Sequence, residues 1–275
     1  MGADRLRLLG SLRRHGRILG RFWSTSLAAE MEYPLNLVIE LLAVLGNLAG
    51  SLGVLALLFG PNRQAGLGGW SWEAALVVLG VYTLLEGVTS CVLQPNLSRI
   101  VGHVQNGTLD FVLLQPLDSQ FWLSTRHCSP WGLPGLAAGL LLIGWGAVHA
   151  GTAFAPAGLL LAGVLLLAAV VILYSLWFLL AALSLWFVKV WNATEVLRTV
   201  LVAGRYPLSA YPVALRLVFT LVLPVAFLTS VPAEAILGRA APLWALGSLG
   251  FAALALAASR LLWRQALRHY TSASS

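Results

Sequence analysis

The chain has 275 residues, of which 59% are hydrophobic and only 10% charged, with a mean hydropathy of +0.85. A soluble domain carries about 25% charged residues, so a water-clothed globule is excluded and a membrane protein is indicated. The net charge of +7 does not point to nucleic acid, because the arginines cluster between apolar runs and no aromatic-stacking pattern accompanies them.

Residues Leu6 to Leu27 read as a helix lying on the membrane rather than crossing it, and the interfacial element is taken as residues 1–30. On a helical wheel Arg7, Arg14, Arg17 and Arg21 share one face, with Leu8, Leu12, Leu19, Phe22 and Trp23 opposite. The blander alternative is a plain orientation signal. A bilayer core of roughly 30 Å needs about 20 helical residues. Six segments meet that length within a few residues: 35–59, 72–93, 131–148, 157–188, 212–228 and 242–262. Basic residues set the orientation. Arg63 and Arg239 fall on one side. The other side takes the N-terminal cluster, Arg99, Arg126, Lys189, Arg198, Arg205, Arg216, Arg260, Arg264 and Arg268. Both termini are then cytoplasmic.

The connection between the second and third spans is over thirty residues long and has its own pattern. Leu97, Ile100, Val101 and Val104 fall on one helical face, with Arg99 and His103 on another. Asn106-Gly107 signals a turn, a short apolar helix runs from Leu109 to Leu114 with Asp110 in it, and Pro116 stops it. A passive loop needs only a few residues, so this segment reads as a docking element. A short helix is expected at Thr194 to Val202, with Thr194 as N-cap. After the fifth span, Pro232 fits a first helical turn, Gly238 a C-cap, and Glu234 lies between them. A short helix dipping back into the outer leaflet follows from that reading. No repeat or soluble domain interrupts the chain, so residues 1–275 form one membrane domain.

Chemistry is sparse. His15, His103, His127, His149 and His269 are scattered without metal-ligand spacing, and Cys91 and Cys128 form no CxxC. Hence no metal site, catalytic set or bound cofactor is expected. No GxxxxGK surrounds the single lysine, Lys189, so ATP and its Mg²⁺ would have to be bound and hydrolysed by another chain. Three polar groups fall inside predicted spans: Glu40, Asn47 and Glu86. Glu86 is placed roughly 10 Å inside the cytoplasmic boundary. These read either as a substrate or coupling site, or as helix-packing hydrogen bonds such as Glu86 with Asn47.

The stretch from Asn106 through Leu109-Asp110-Phe111-Val112-Leu113-Leu114-Gln115-Pro116 to Phe121 resembles the cytoplasmic loop of bacterial ABC-2 family permeases. Arg205-Tyr206-Pro207-Leu208 with Tyr211-Pro212 is similar to the same branch. So are Leu223-Pro224-Val225-Ala226-Phe227, and Val231-Pro232-Ala233 through the C-terminal Arg268-His269-Tyr270. The resemblance spans most of the chain. It implies an all-α polytopic fold with six spans, an interfacial N-terminal helix, a coupling helix between spans two and three, and a re-entrant element between spans five and six. It implies an exporter subunit in a bacterial inner membrane, with two copies of an ABC ATPase and a second permease as homo- or heterodimer. Membrane lipid is the remaining partner, and nucleic acid is not one. In this reading Leu97, Ile100, Val101 and Val104 fill a groove on the ATPase, with Leu109 in the following helix and Arg99 and Asp110 at the rim. A secondary carrier driven by ions or protons, or a non-transporting scaffold, are the alternatives. The apolar spans lean toward a lipid, hydrophobic peptide or drug-like cargo.

Overall fold

The computed structural model describes residues 2–30, 32, 34–60, 67–152, 155–186, 197–199 and 201–270. Every named element among them is helical. Helix α1 is Gly2–Glu30 and α2 is Pro34–Phe59. Helix α3 runs unbroken from Trp72 to Gln105. A π-helical turn, Thr89–Leu93, lies inside it. Two short helices follow, α4 (Leu109–Leu113) and α5 (Ser119–Thr125). Then come α6 (Pro130–His149, opening on a 3-10 turn), α7 (Pro156–Leu185, closing on one) and α8 (Val213–Leu217, continued by a π turn Val218–Val222). Helices α9 (Ala226–Ile236) and α10 (Pro242–His269) complete the order. Among the described residues five helices are long and apolar enough to cross a membrane: α2, α3, α6, α7 and α10.

The 34 residues of α3 span about 51 Å at ~1.5 Å each, against a hydrocarbon core of about 30 Å. The predicted second span therefore does not end at Leu93. Its last turns, Gln94–Gln105, project from one end of the bundle and carry α4 and α5 there. Pro95 at the start of that extension does not stop the helix, because the π turn before it has already shifted the hydrogen-bond register. Gly107, at φ 66°, makes the turn expected of Asn106-Gly107. We call this the tip end. The opposite end is marked by Trp70.

Two antiparallel helices form the tightest seam. Gly80 and Gly87 of α3 face Gly146, Gly139 and Gly132 at the start of and along α6, all at seven-residue spacing. A Cβ on Gly139 would sit 2.5 Å from the backbone nitrogen of Leu84, and one on Gly87 2.5 Å from that of Leu136. Only glycine admits such backbone approach, which is how apolar helices gain dispersion contact where no hydrophobic force distinguishes lipid from protein. Helices α7 and α10 pack against each other, and Trp177, Phe178 and Trp263 are fully buried between them and the tip. Phe178 and Trp263 meet edge to face at 5.4 Å.

The predicted fifth span, 212–228, is not among the five helices long and apolar enough to cross a membrane. Its helix stops at Leu223, which is extended (φ −117°, ψ 102°), because Pro224 has no N–H to donate and disfavours a helical residue before it. The ten residues 213–222 reach about 15 Å. Both ends of the segment lie at the Trp70 end. Gly68 abuts Ser209, Arg216 Nη2 donates to the Ser209 carbonyl at 2.9 Å, and the Arg239 guanidinium sits 4.9 Å from the Trp70 ring centroid. Between them Val225 reaches down to the level of Gly204 and Leu201. Residues 213–236 thus form a hairpin that enters and leaves at one end. Pro232 and Glu234, expected to make the dipping turn alone, belong to its returning leg, which Gly238 (φ 69°) closes. Leu185 closes α7 near the tip end of α3, whereas Ser209 lies at the Trp70 end. Arg205 and Arg216 are accordingly not on the tip side, contrary to the charge count above. Thr194, the expected cap, lies outside the described residues.

Candidate functional site

The three polar groups expected inside spans do converge. Glu40 and Asn47 from α2 and Glu86 from α3 line one cavity of about 190 Å³, together with Ser51, Tyr82, Thr83, Ser90, Trp131, Arg198 and Arg205. Along α2, Glu40, Asn47 and Ser51 recur at seven and four residues, so one stripe of an otherwise apolar helix is polar. Along α3, Tyr82, Glu86 and Ser90 do the same at steps of four. Glu86 and Asn47 share no hydrogen bond among the described residues, and the simple packing pair is not formed.

The arginines are what the sequence reading missed. Arg205 ends the 3-10 turn Val202–Arg205. Its guanidinium lies 5.0 Å from the Tyr82 ring centroid, its Nη1 donates to Ser51 Oγ at 3.4 Å, and its Nε is buried without a partner. Tyr82 also interacts with Glu86. A cavity walled by carboxylates and guanidinium groups, two of each, with hydroxyls between them, can hold a charged or zwitterionic group away from lipid. The signal for it was two arginines seven apart, Arg198 and Arg205, in an apolar setting. Assigning that stretch to a loop hid it.

At the tip the predicted docking face points the other way. Leu97, Ile100 and Leu109 are fully buried, and Val101 nearly so, in the chain's own core beside α7. Val104 is half-buried. They cannot fill a partner's groove while this fold persists. Hydrophobic burial beside α7 stabilises the extension of α3 that the span prediction cut off. The outward surface is instead Phe111, Leu113 and Leu114, 67%, 39% and 78% exposed. Asp110 is half-buried and Arg99 exposed.

Polar bonds fix the tip to the bundle. Asn96 Nδ2 donates to the His127 carbonyl at 2.7 Å and its Oδ1 accepts from the His127 N–H at 2.8 Å. Asp118 caps α5 by accepting from the Phe121 N–H at 3.0 Å and is paired with Arg260 of α10. That pairing, foremost its hydrogen bonds, holds the Asp118 carboxyl below its usual range. Gln120 Nε2 donates to the Tyr174 hydroxyl of α7 at 3.0 Å, and Trp263 Nε1 of α10 donates to Ser119 Oγ at 3.0 Å. Helix α5 is therefore a clamp that ties the exposed tip to both α7 and α10. Helix α1 lies against the same region. Trp23 Nε1 donates to the Thr125 carbonyl at 3.1 Å, Ser26 Oγ accepts from the Cys128 N–H at 3.2 Å, and Glu30 Oε2 accepts from Trp131 Nε1 at 2.5 Å. Arg17 and Arg21 are exposed, while Ile18, Leu19 and Phe22 are half-buried, as the wheel predicts.

A family model for ABC-2 family transporter proteins matches residues 45–274. The chain belongs to that family. No curated protein and no solved structure matches it. The ABC-2 chain is thus a multi-pass membrane subunit of an ABC transporter. It is not itself the ATPase but associates with one. For an ABC-2 permease the two regions above have distinct meanings. One is an exposed apolar tip and the other a charged cavity within the bundle.

Proposed function

We propose that this permease is an exporter subunit of a bacterial inner membrane. It works as a homo- or heterodimeric pair with two ATPase copies, which bind the ATP and Mg²⁺. Six crossings with both termini cytoplasmic fit best, the fifth lying between Leu185 and Ser209 and the hairpin 213–236 re-entering from outside. In support, Arg99, Arg126, Arg260, Arg264 and Arg268 gather toward the tip end, against Arg216 and Arg239 at the other.

The observation that carries the mechanism is the continuity of α3. One unbroken helix bears Tyr82 and Glu86 in the cavity and, five turns on, the base of the tip. ATP-driven closure of the motor displaces Phe111, Leu113 and Leu114. The clamp at Asp118, Ser119 and Gln120 passes the displacement to α7 and α10, while α3 carries it to the cavity wall. The cavity's mixed charge supports cargo bearing a charged or zwitterionic group on an otherwise apolar body.

The test is the double substitution Phe111→Asp with Leu114→Asp in the assembled transporter. Both side chains are exposed, so the chain still inserts and folds, and stimulated ATP turnover is lost. Turnover that stays at the wild-type level would sink the docking assignment. Transport that continues without nucleotide would instead favour an ion-coupled carrier working through Glu40 and Glu86.

A further inference from the structure

A second polar space lies at the tip end, and its smaller lobe reaches Phe111 of the exposed tip surface. It has two lobes, of about 500 and 730 Å³, that share Arg99, Trp122, Arg126 and His127 as a common wall. The smaller lobe opens between the tip of α3 and α4. The larger opens beneath α1, which adds Arg21, Ile18 and Phe22.

The cations are prearranged and unneutralised. Arg126 stacks over the Trp122 ring, 4.4 Å from its centroid. Arg99 Nη1 lies 2.9 Å from His127 Nε2, and His127 is itself held by Asn96. Burial first, then Arg99 and Arg126, push His127 down to about 4, so it remains the neutral acceptor for Arg99 at physiological pH. Among the described residues Arg21, Arg99 and Arg126 make no ion pair with a carboxylate. Glu30 also lines the larger lobe and accepts a hydrogen bond from Trp131 Nε1.

Three guanidinium groups around one space, held by stacking and by a neutral histidine, leave their positive charge for something outside the chain. We propose that this cleft binds the phosphate of an anionic phospholipid headgroup and so fastens α1 to the tip. The shared chemistry is a phosphate anion, and the lipid is favoured over a free phosphate by the wall itself. Ile18, Phe22, Leu117 and Trp122 provide apolar surface beside the cations. An amphiphile uses both kinds of surface, whereas inorganic phosphate uses one and leaves most of the larger lobe unfilled. The bound lipid bridges α1 to the elements of the clamp, which makes motor coupling dependent on the anionic lipid of that leaflet.

The experiment titrates purified full-length protein in neutral mixed micelles with fluorescent phosphatidylglycerol, using diacylglycerol of the same acyl chains, which lacks the phosphate, as the comparison. Phosphatidylglycerol should bind at least about tenfold more tightly, the scale set by losing one or more charge-assisted hydrogen bonds. Arg99→Gln with Arg126→Gln removes that preference, and Arg99→Lys with Arg126→Lys keeps most of it. Arg264→Gln with Arg268→Gln, on the exposed end of α10, leaves it intact. Equal binding of the two lipids by the wild-type protein overturns the proposal without reliance on any variant. Equal loss in both glutamine pairs overturns it too, since the attraction would then be diffuse. If millimolar inorganic phosphate displaces the lipid, the site belongs to a soluble anion and the lipid assignment fails. None of these readouts uses ATP turnover, so the motor-coupling reading stands or falls separately.

Discussion

Helices α2 and α3 have similar apolar character, yet they are held in opposite ways. In the apolar window of α3, 72% of residues are buried, against 11% in α2. The difference is one of backbone approach. Helix α3 meets α6 through glycines whose absent side chains let the two main chains touch, and α2 has no such partner: Gly46, Gly50 and Gly53 face nothing within 4 Å. Leu55 and Phe59 pack α2 at the Trp70 end, where Phe59 meets Trp72 edge to face at 5.8 Å. How closely a membrane helix is held within its own chain is thus set by its small residues and not by its hydrophobicity. The charged cavity lies between these two helices.

Substituting Gly139 by Leu is the hardest test of that contrast. Backbone atoms of α3 block the added side chain, so folded protein should be lost, read as the disappearance of the monodisperse peak in fluorescence-detected size exclusion. Gly139→Ala is still costly, at about 3 kcal/mol or more. Gly46→Ala on α2 should be neutral or stabilising by up to about 1 kcal/mol. Equal effects at both sites would remove the distinction between the helices.

Next in size is Ile100→Asp. It places a carboxylate in the sealed core of the tip and should destabilise by several kcal/mol, on the order of the cost of an unpaired buried charge. Thermal melting distinguishes this loss of fold from the loss of coupling expected of Phe111→Asp with Leu114→Asp, which leaves the melting temperature near that of the wild type. A smaller effect is expected for Tyr174→Phe. It removes the hydroxyl shared by Gln120 and Ser124 and costs about 1–2 kcal/mol. The coupling between ATP turnover and transport should weaken further than stability does.

The smallest effect is a pH dependence. The folded carboxyl of Asp118 titrates below its ordinary value, so its contribution is complete above the unfolded value of about 4 and is lost as pH falls through the depressed one. Both Asp118 and Arg260 are more than a third exposed or close to it, and the pair is worth less than about 1 kcal/mol. Asp118→Asn should flatten the acid limb of the melting-temperature profile and leave neutral pH nearly unchanged. An unaltered acid limb would show that the clamp rests on Gln120 and Trp263 alone.

Much of the architecture was legible because it depends on local pattern. The runs predicted as spans one, three, four and six fall largely on long apolar helices, as such runs must form helices to satisfy their own backbone in lipid. The Asn106-Gly107 turn and the Gly238 cap were likewise read correctly, since each needs only the local freedom of glycine at positive φ. The helix break inside the predicted fifth span was missed for a physical reason. Val213 to Val222 is more apolar than the stretch holding Arg198 and Arg205, and hydropathy favours the more apolar segment. It has no term for a Pro224 that breaks the helix, or for arginines that face a cavity instead of lipid. The docking face failed for a related reason. A helical stripe such as Leu97, Ile100, Val101 and Val104 shows that one side is buried but not against which molecule.

The sequence by itself determined that this protein is a bundle of membrane helices with a basic amphipathic N-terminus, a structured connection after Leu93 and no GxxxxGK motif. Residue type and spacing suffice for those conclusions. Only the tertiary structure decided which faces meet. It turned the stripe at Ile100 inward, left Phe111 and Leu114 outside, folded 213–236 back on itself, and brought Arg205 to Tyr82 and Glu86. Those outcomes rest on contacts between residues far apart in the chain, for which periodicity carries no information.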